Sequence, residues 1–175
     1  MSEKTNPMLL PRLEKVVLNI GVGESGERLV KAEALLTKLT GRKPVRTVST
    51  KRIPQWTLRK GEPIGCKVTL RGKPAEEVLK RCLYAKDNVL TASHFDASGN
   101  LSFGIQEYID IQGIKYDPDI GIFGLNICAT IERPGGHVKR RSLRASKIPQ
   151  KARLTPEESI EFMKQKFGVK IGSED

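Results

Sequence analysis

The sequence lacks any apolar run near the roughly 20 residues that a membrane-spanning helix requires. Residues 1–6 are polar, so they also lack the apolar core of a signal peptide. Only three cysteines occur, Cys66, Cys82 and Cys128, and none forms a Cys-x-x-Cys pair. The two histidines, His94 and His137, lie too far apart for a common metal-ligand motif. We therefore expect a cytoplasmic protein with reduced cysteines, no structural metal and no cofactor.

Common catalytic signatures are also missing from the sequence. It contains neither G-x-S-x-G nor G-x-x-x-x-G-K-[ST], and neither histidine stands beside a nucleophile or a carboxylate motif. Nothing in the residues therefore indicates an enzyme.

One glycine motif is present, because residues 21–26 read GVGESG and match G-x-G-x-x-G between a predicted strand and a predicted helix. A dinucleotide site would need an acidic residue about 20 positions further on, yet no Asp or Glu occurs between Ala34 and Gly61. Glu24 would also place a negative charge beside a pyrophosphate. We interpret the motif as a flexible turn. A nucleotide-dependent enzyme that uses Gly21 to Gly26 is the alternative.

Acidic residues are scarce in two long stretches of a chain with 31 Lys plus Arg, 20 Asp plus Glu and a net charge of +11. Residues 42–73 hold ten basic residues and one acid, Glu62, and residues 133–153 hold eight basic residues and no acid. Between them, residues 87–132 hold seven acids and one base, Lys115. A surface that serves only solubility mixes both signs, whereas a segregated basic face suits a polyanion whose phosphates release counterions. We predict RNA binding. The alternatives are a solubilising surface and a protein-interaction module built on the acidic strands.

Apolar periodicity predicts an α+β fold. Apolar residues alternate at 15–21, 64–71 and 123–131, which predicts strands. The short β-branched run at 45–50 and the run at 101–108, which follows a turn, predict two more strands. Helical spacing predicts a helix capped by Ser25 and ended by Gly41, a second helix with Pro74 at its first position, and a third that runs from a capping box at Thr155 to Gly168. We predict a single domain over residues 1–175. It has a largely antiparallel sheet with helices packed on one face and the other face open to RNA.

Two basic segments are predicted to be irregular. Residues 49–63 contain Pro54, the only tryptophan, Trp56, and four basic residues, which favours an extended loop between two strands. There Trp56 either stacks on RNA or anchors the loop to the core. Residues 138–153 carry few large apolar side chains. This flexible part of the basic segment 133–153 is predicted to be disordered in solution and to order on RNA, and a solvated tail is the alternative.

Three strings carry a resemblance to a known family: LEKVVLNIGVGESG, LTGRKPVRTVSTKRIPQWTLRKGEPIGCKVTLRG and FGIQEYIDIQGIKYDPDIGIFGLNICATIERPG. They resemble the large-subunit ribosomal protein family that binds 5S rRNA, whose bacterial members are called protein five. The RPGGHVKRR segment and the final helix resemble the archaeal and eukaryotic branch, where the eukaryotic counterpart is large-subunit protein eleven. The similarity extends from residue 11 to about residue 171, and the glycine motif is part of the family's pattern.

The resemblance implies a structural constituent of the central protuberance of the cytoplasmic large subunit, without catalytic residues. Its implied partners are 5S rRNA, the large-subunit rRNA, the P-site tRNA, a small-subunit protein across an intersubunit bridge and neighbouring central-protuberance proteins. The implied rRNA contacts are Asn19, Arg42, Lys43, Arg46, Thr47, Lys67, Thr69 and Arg71. The alternation of residues 64–71 independently selects the last three as outward positions. The implied tRNA-binding loop carries Lys51, Arg52, Gln55, Trp56, Arg59 and Lys60. Further RNA contacts are expected at Lys139, Arg140, Arg141, Arg144 and Lys147.

Overall fold

A computed structural model of the protein describes residues 6–172, and its elements confirm an α+β fold. The expectation of no signal peptide concerns residues 1–6, of which 1–5 lie outside the described residues. The strands are β1 (Arg12–Gly21), β2 (Val45–Val48), β3 (Pro63–Leu70), β4 (Val89–Leu90), β5 (Leu101–Ile105), β6 (Leu125–Glu132) and β7 (Lys170–Ile171). The helices are α1 (Glu27–Thr40), α2 (Lys73–Tyr84) and α3 (Pro156–Phe167).

The main sheet has the strand order β2-β3-β1-β6-β5, and each neighbouring pair is antiparallel. The short strands β4 and β7 pair separately and in parallel. Helix α1 packs against β3 and helix α2 packs against β1, on the same face of the sheet. This arrangement confirms the predicted antiparallel sheet with helices on one face.

The core lies between that face and the helices. In β1 the side chains of Val16, Leu18 and Ile20 are buried, and β3 contributes its own alternate residues, Cys66, Val68 and Leu70. Helices α1 and α2 cover them with the predicted apolar stripes, which are Leu29, Ala32, Leu35, Leu36 and Leu39 in α1 and Val78, Leu79, Cys82 and Leu83 in α2. Full burial of one large apolar side chain stabilises the fold by about 1.5–3 kcal/mol. Strand alternation therefore fixes which face of each strand remains outside.

Two predicted helix starts are wrong in detail. Gly26, not Ser25, is the N-cap of α1, because the Ser25 hydroxyl donates a hydrogen bond to Glu62 Oε1 at 2.7 Å instead. Helix α2 begins at Lys73, so Pro74 occupies its second position. The predicted ends and the third helix are confirmed. Gly41 ends α1 in the left-handed region with φ 65°, and the Thr155 capping box opens α3.

Three predicted strands are shorter in the structure. Strand β2 ends at Val48, and β5 ends at Ile105 because the chain then turns into a 3-10 helix that buries Tyr108. Tyr108 and Ile111 are both buried, at a helical rather than an alternating spacing. Phe123 is buried but precedes β6, which begins at Leu125.

No helix within residues 6–172 is long and apolar enough to cross a membrane.

Candidate nucleic-acid interface

The sheet face opposite α1 and α2 carries polar and small side chains across its width. Cross-strand pairing forms one row from β2 to β5, made of Val45, Lys67, Asn19, Asn126 and Gly104. A second row consists of Thr69, Val17, Cys128 and Ser102. We call these two rows, together with Lys15, Thr47 and Thr130, the open face. Residues 15–21, 63–70, 101–105 and 125–130 contain no acid, so this part of the face has no negative side chain.

The centre of the open face combines a cation with two amides. Lys67 is exposed and pairs with Asn19, which pairs in turn with Asn126. Residues directly opposite each other in an antiparallel pair are about 4.5–5.5 Å apart. An ammonium group supplies donors only, whereas each amide supplies donors and an acceptor. This row can bind a phosphate and also read ribose hydroxyls and base edges.

The open face holds four of the predicted rRNA contacts: Asn19, Thr47, Lys67 and Thr69. Three others surround it. Arg42 and Lys43 are exposed in the turn before β2, and Arg71 is exposed one residue after β3 ends. Asn126 is missed by a search for basic residues, although the alternation of β6 points it outward.

Arg46 lies on the other face of the sheet. It pairs with Cys66, a core residue, so its side chain emerges beside α1 rather than on the open face. There its guanidinium forms an ion pair with Glu33, with Nη2 donating to Oε2 at 3.1 Å. The hydrogen bond from Arg46 lowers the pKa of Glu33 below its ordinary value. Arg46 and Lys67 are therefore basic residues with different surroundings on opposite faces.

Residues 49–62 form the loop between β2 and β3, called the basic loop below. At its base, Ser49 N–H donates to the Glu62 carbonyl and Gly61 N–H donates to the Ser49 carbonyl, both at 2.8 Å. Further out, Ile53 and Leu58 form a backbone bridge, and Pro54–Trp56 is a 3-10 turn. These hydrogen bonds make the loop between β2 and β3 a narrow hairpin rather than the predicted extended loop.

Trp56 is at the tip of the basic loop and 66% of its surface is exposed. The apolar anchor of the loop is Leu58 instead, which is only 6% exposed. Of the two roles left open for Trp56, anchoring to the core is thus excluded by its exposure. An exposed indole beside several cations is suited to stacking on a base.

The cations of the basic loop are free of acidic partners. Lys51, Arg52, Arg59 and Lys60 are exposed, and none of them forms an ion pair within residues 6–172. The nearest acid, Glu62, accepts the Arg59 backbone N–H at 2.9 Å and the Ser25 hydroxyl at 2.7 Å. The hydrogen bond from Arg59 N–H, followed by that from Ser25, lowers the pKa of Glu62. Glu62 thus connects the loop to the β1–α1 turn by hydrogen bonds, and the side chains of the loop's cations remain available to a ligand.

The basic segment (residues 133–153) contains two short 3-10 turns, Gly136–Lys139 and Gln150–Ala152. Its Arg140 forms ion pairs with Glu14 of β1 and with Glu132 of β6, at 3.0 Å for the latter. The Glu132 carboxylate packs so closely on Gly136 that a Cβ there would come within 2.5 Å of it. A count of acids within the segment does not reveal these partners, because Glu132 lies just before the segment and Glu14 is 126 positions from Arg140. Through these ion pairs Arg140 holds the segment against the sheet. The other cations of this group are exposed: Lys139, Arg141, Arg144 and Lys147.

The three cysteines have different surroundings. Burial raises the pKa of Cys66 to about 11 and that of Cys82 to about 12. Cys128 is exposed in the middle of the open face, with its sulphur 3.6 Å from the Ser102 hydroxyl. Among residues 6–172, no group of three His, Cys, Asp or Glu side chains could hold a metal ion.

The glycine motif forms a turn in which two of the backbone donors are already used. The N–H groups of Val22 and Gly23 both donate to the Ile64 carbonyl, at 3.0 and 2.9 Å. A phosphate-binding turn instead presents free N–H groups to its ligand. Glu24 and Glu27 also stand at the start of α1, with Glu24 paired to Arg28. This geometry favours the flexible turn over the nucleotide site.

The acid-free open face, the unpaired cations of the basic loop and the basic segment define an RNA-binding protein. Comparison with known proteins identifies which kind. The family model described as ribosomal protein L5 matches residues 6–59, and the model of the C-terminus of the same ribosomal family matches residues 63–162.

Archaeal relatives match almost the whole chain. The large ribosomal subunit protein uL5 of Methanosphaera stadtmanae is 51% identical over 95% of this chain and 99% of its own length. The uL5 of Sulfurisphaera tokodaii is 52% identical over 97% of both chains, and that of Methanococcoides burtonii is 47% identical over 95% of this chain and 99% of its own. The chain belongs to the L5 family of large-subunit ribosomal proteins. It is a constituent of the large ribosomal subunit in the cytoplasm.

Proposed function

We propose that the protein binds 5S rRNA through its open face and helps to attach it in the central protuberance. The observation that carries this proposal is the row of Lys67, Asn19 and Asn126 on a face without acids. Cations neutralise phosphates, and amides on a rigid sheet read the ribose and base edges of folded RNA. Binding of this kind involves no turnover, so the protein acts as a structural component and not as an enzyme.

The basic loop serves a second RNA. Its base is closed by hydrogen bonds and its tip presents Trp56, so it can extend beyond the RNA held on the sheet. The same loop carries Lys51, Arg52, Gln55, Arg59 and Lys60, which provide contacts to the RNA backbone. We propose that this second RNA is the P-site tRNA, as the family resemblance implies. Arg59 and Lys60 lie on the returning side of the loop, nearer its base.

The remaining basic residues contact the large-subunit rRNA. Arg42, Lys43 and Arg71 lie at the margin of the open face, and Lys139, Arg141, Arg144 and Lys147 lie on the exposed side of the basic segment. Arg46 and Arg140 are already paired with carboxylates, so their contribution is to hold β2 and the basic segment in place. Neighbouring central-protuberance proteins and a small-subunit protein across an intersubunit bridge complete the partners that the resemblance implies.

The whole chain acts as a single domain in this function. The two family models meet near residue 60, yet β1 from the first matched region pairs with β3 and β6 from the second. Buried residues from both regions also form one apolar cluster. Neither region could keep the open face without the other.

The division between the two RNA surfaces is tested by replacing residues 51–60 with two glycines. This change keeps the Ser49–Glu62 pairing at the loop base. We expect unchanged affinity for 5S rRNA in a filter-binding titration and weaker placement of P-site tRNA in reconstituted ribosomes. Loss of 5S rRNA binding would contradict the division. Equilibrium dialysis with NAD or ATP addresses the enzyme alternative, since saturable micromolar binding would restore it.

A further inference from the structure

A cavity of about 520 Å³ lies at the end of the sheet, between β1, β6 and the basic segment. Its volume falls within the range of about 300–1,000 Å³ that is typical of small-molecule sites. It adjoins the open face at Lys15 and Thr130 but does not include the centre of that face, since neither Lys67 nor Asn19 lines it. Its chemistry differs between its floor and its rim.

The floor of the cavity is apolar. Ile131 and Leu154 are buried, and Ile148 is half-buried beside them. Asn100 and Thr130 also line the cavity and supply an amide and a hydroxyl. An apolar surface with a few polar groups is suited to a flat, partly polar ring such as a nucleobase.

The rim of the cavity is positively charged. Lys139, Lys147 and Arg153 line it and are exposed, and none of them forms an ion pair within the described residues 6–172. The two acids of the lining, Glu14 and Glu132, are both paired with Arg140. The rim therefore has an excess of cations that an anionic group would neutralise.

Arg133 adds a buried donor to this site. It lines the cavity, its side chain is 19% exposed, and its Nη2 donates to Glu158 Oε1 at 2.7 Å. Its Nε is buried and has no hydrogen-bond partner within residues 6–172. Because Glu158 already pairs with Arg133, the excess of cations at the rim comes from Lys139, Lys147 and Arg153.

From these features we propose that the cavity binds one nucleotide of a single-stranded RNA segment. The base lies on the apolar floor and the phosphate lies among the cations of the rim. Single-stranded RNA is recognised in this way, because its bases can leave the stack and enter a pocket. The inference rests on the proposed function, which already assigns Lys139 and Lys147 to rRNA, and it deepens that assignment by placing one nucleotide in the cavity.

The test titrates the full-length protein with the tetranucleotide rA4 and follows the methyl NMR signals of Ile131, Ile148 and Leu154. We expect saturable shifts of these floor signals. AMP, titrated separately, should bind at least about tenfold more weakly, because it lacks the flanking phosphates that the rim cations contact. Equal affinity for AMP would overturn the assignment to an RNA strand and indicate a free nucleotide.

Matched variants separate the cavity from general electrostatic attraction. Lys147→Gln with Arg153→Gln removes two rim charges and should weaken rA4 binding about tenfold. Lys80→Gln with Lys164→Gln removes the same charge from exposed residues that do not line the cavity and should change rA4 binding less than about threefold. Ala145→Trp keeps every charge but fills the cavity, in whose lining Ala145 lies, and should abolish the floor shifts.

Unchanged rA4 binding by Ala145→Trp would overturn the proposal, as would shifts confined to the open face. A filter-binding titration with 5S rRNA distinguishes this result from a failure of the proposed function. We expect Ala145→Trp to bind 5S rRNA as tightly as the unaltered protein, because the open face is intact. If the unaltered protein failed to bind 5S rRNA, the proposed function would fall, whereas the rA4 result would still decide the cavity.

Discussion

The replacement of Lys67 by Gln, compared with that of Arg46 by Gln, tests which face of the sheet binds RNA. The two residues belong to neighbouring strands and lie almost opposite each other, since Val45 pairs with Lys67 and Arg46 pairs with Cys66. Their side chains nevertheless emerge on opposite faces. Each substitution removes one positive charge, so any difference between them reports position and not net charge.

The expected magnitude follows from counterion release. Each phosphate contact contributes about −0.9 to the slope of log affinity against log salt concentration. Loss of the Lys67 contact should therefore make the slope shallower by about 0.9. Between about 50 and about 200 mM salt, the variant should lose about 3.5-fold less affinity than the unaltered protein. At low salt we expect affinity for 5S rRNA to fall about tenfold, as is typical of a lost charged hydrogen bond.

Arg46→Gln should leave both the slope and the affinity close to those of the unaltered protein, because Glu33 already neutralises Arg46 on the helix side. The assay is a filter-binding titration of 5S rRNA at several salt concentrations, with urea unfolding to confirm that both variants are folded. An equal effect of the two substitutions would refute the assignment of the RNA to the open face. So would an unchanged slope for Lys67→Gln.

Three further predictions concern the loop, the basic segment and the thiols. Trp56→Ala should change the free energy of unfolding by less than about 0.5 kcal/mol. The same substitution should reduce the binding free energy of P-site tRNA in reconstituted ribosomes by about 1–3 kcal/mol, because a base that stacks on the indole loses that contact. Arg140→Met should lower the free energy of unfolding in urea by about 1 kcal/mol, because two carboxylates lose a partly screened partner. An equal loss of stability in Arg141→Met would contradict the role of Arg140 in holding the basic segment on the sheet. Iodoacetamide at about pH 8 should label Cys128 alone in the native protein, because the raised pKa of the two buried thiols keeps them protonated; labelling at all three positions would contradict the core packing.

Alternation and helical spacing were sufficient to predict the core and much of the open face. In β3 the pattern separates Cys66, Val68 and Leu70 from Lys67 and Thr69, because one face must pack on helices and the other must not. The same pattern fails in β2, which has only the four residues VRTV. Three of these four are β-branched, so the strand has no clear apolar face. As a result, the position of Arg46 depends on pairing with β3, which the sequence does not specify.

Partners that are distant in sequence account for the other differences. Ser25 is a good local N-cap, but Glu62, 37 positions away, takes its hydroxyl. Arg140 pairs with Glu14, 126 positions away, and with Glu132, which lies just before the acid-free segment. The absence of acids within that segment therefore does not leave Arg140 free. Local rules describe propensity, whereas these contacts arise only after the sheet has brought separate segments together. Asn126 is a different case, because its outward position was predictable and only its lack of charge concealed it.

The central claim is that 5S rRNA covers the open face, and the thiol of Cys128 reports on it directly. Cys128 is exposed in the row of Thr69, Val17 and Ser102, next to the row of Lys67. The measurement is the rate of Cys128 alkylation in the free protein and in the complex saturated with 5S rRNA. We expect bound RNA to slow this alkylation at least about tenfold, since a covered thiol reacts only when the complex opens. An unchanged rate in a fully formed complex would show that 5S rRNA binds another surface of the protein.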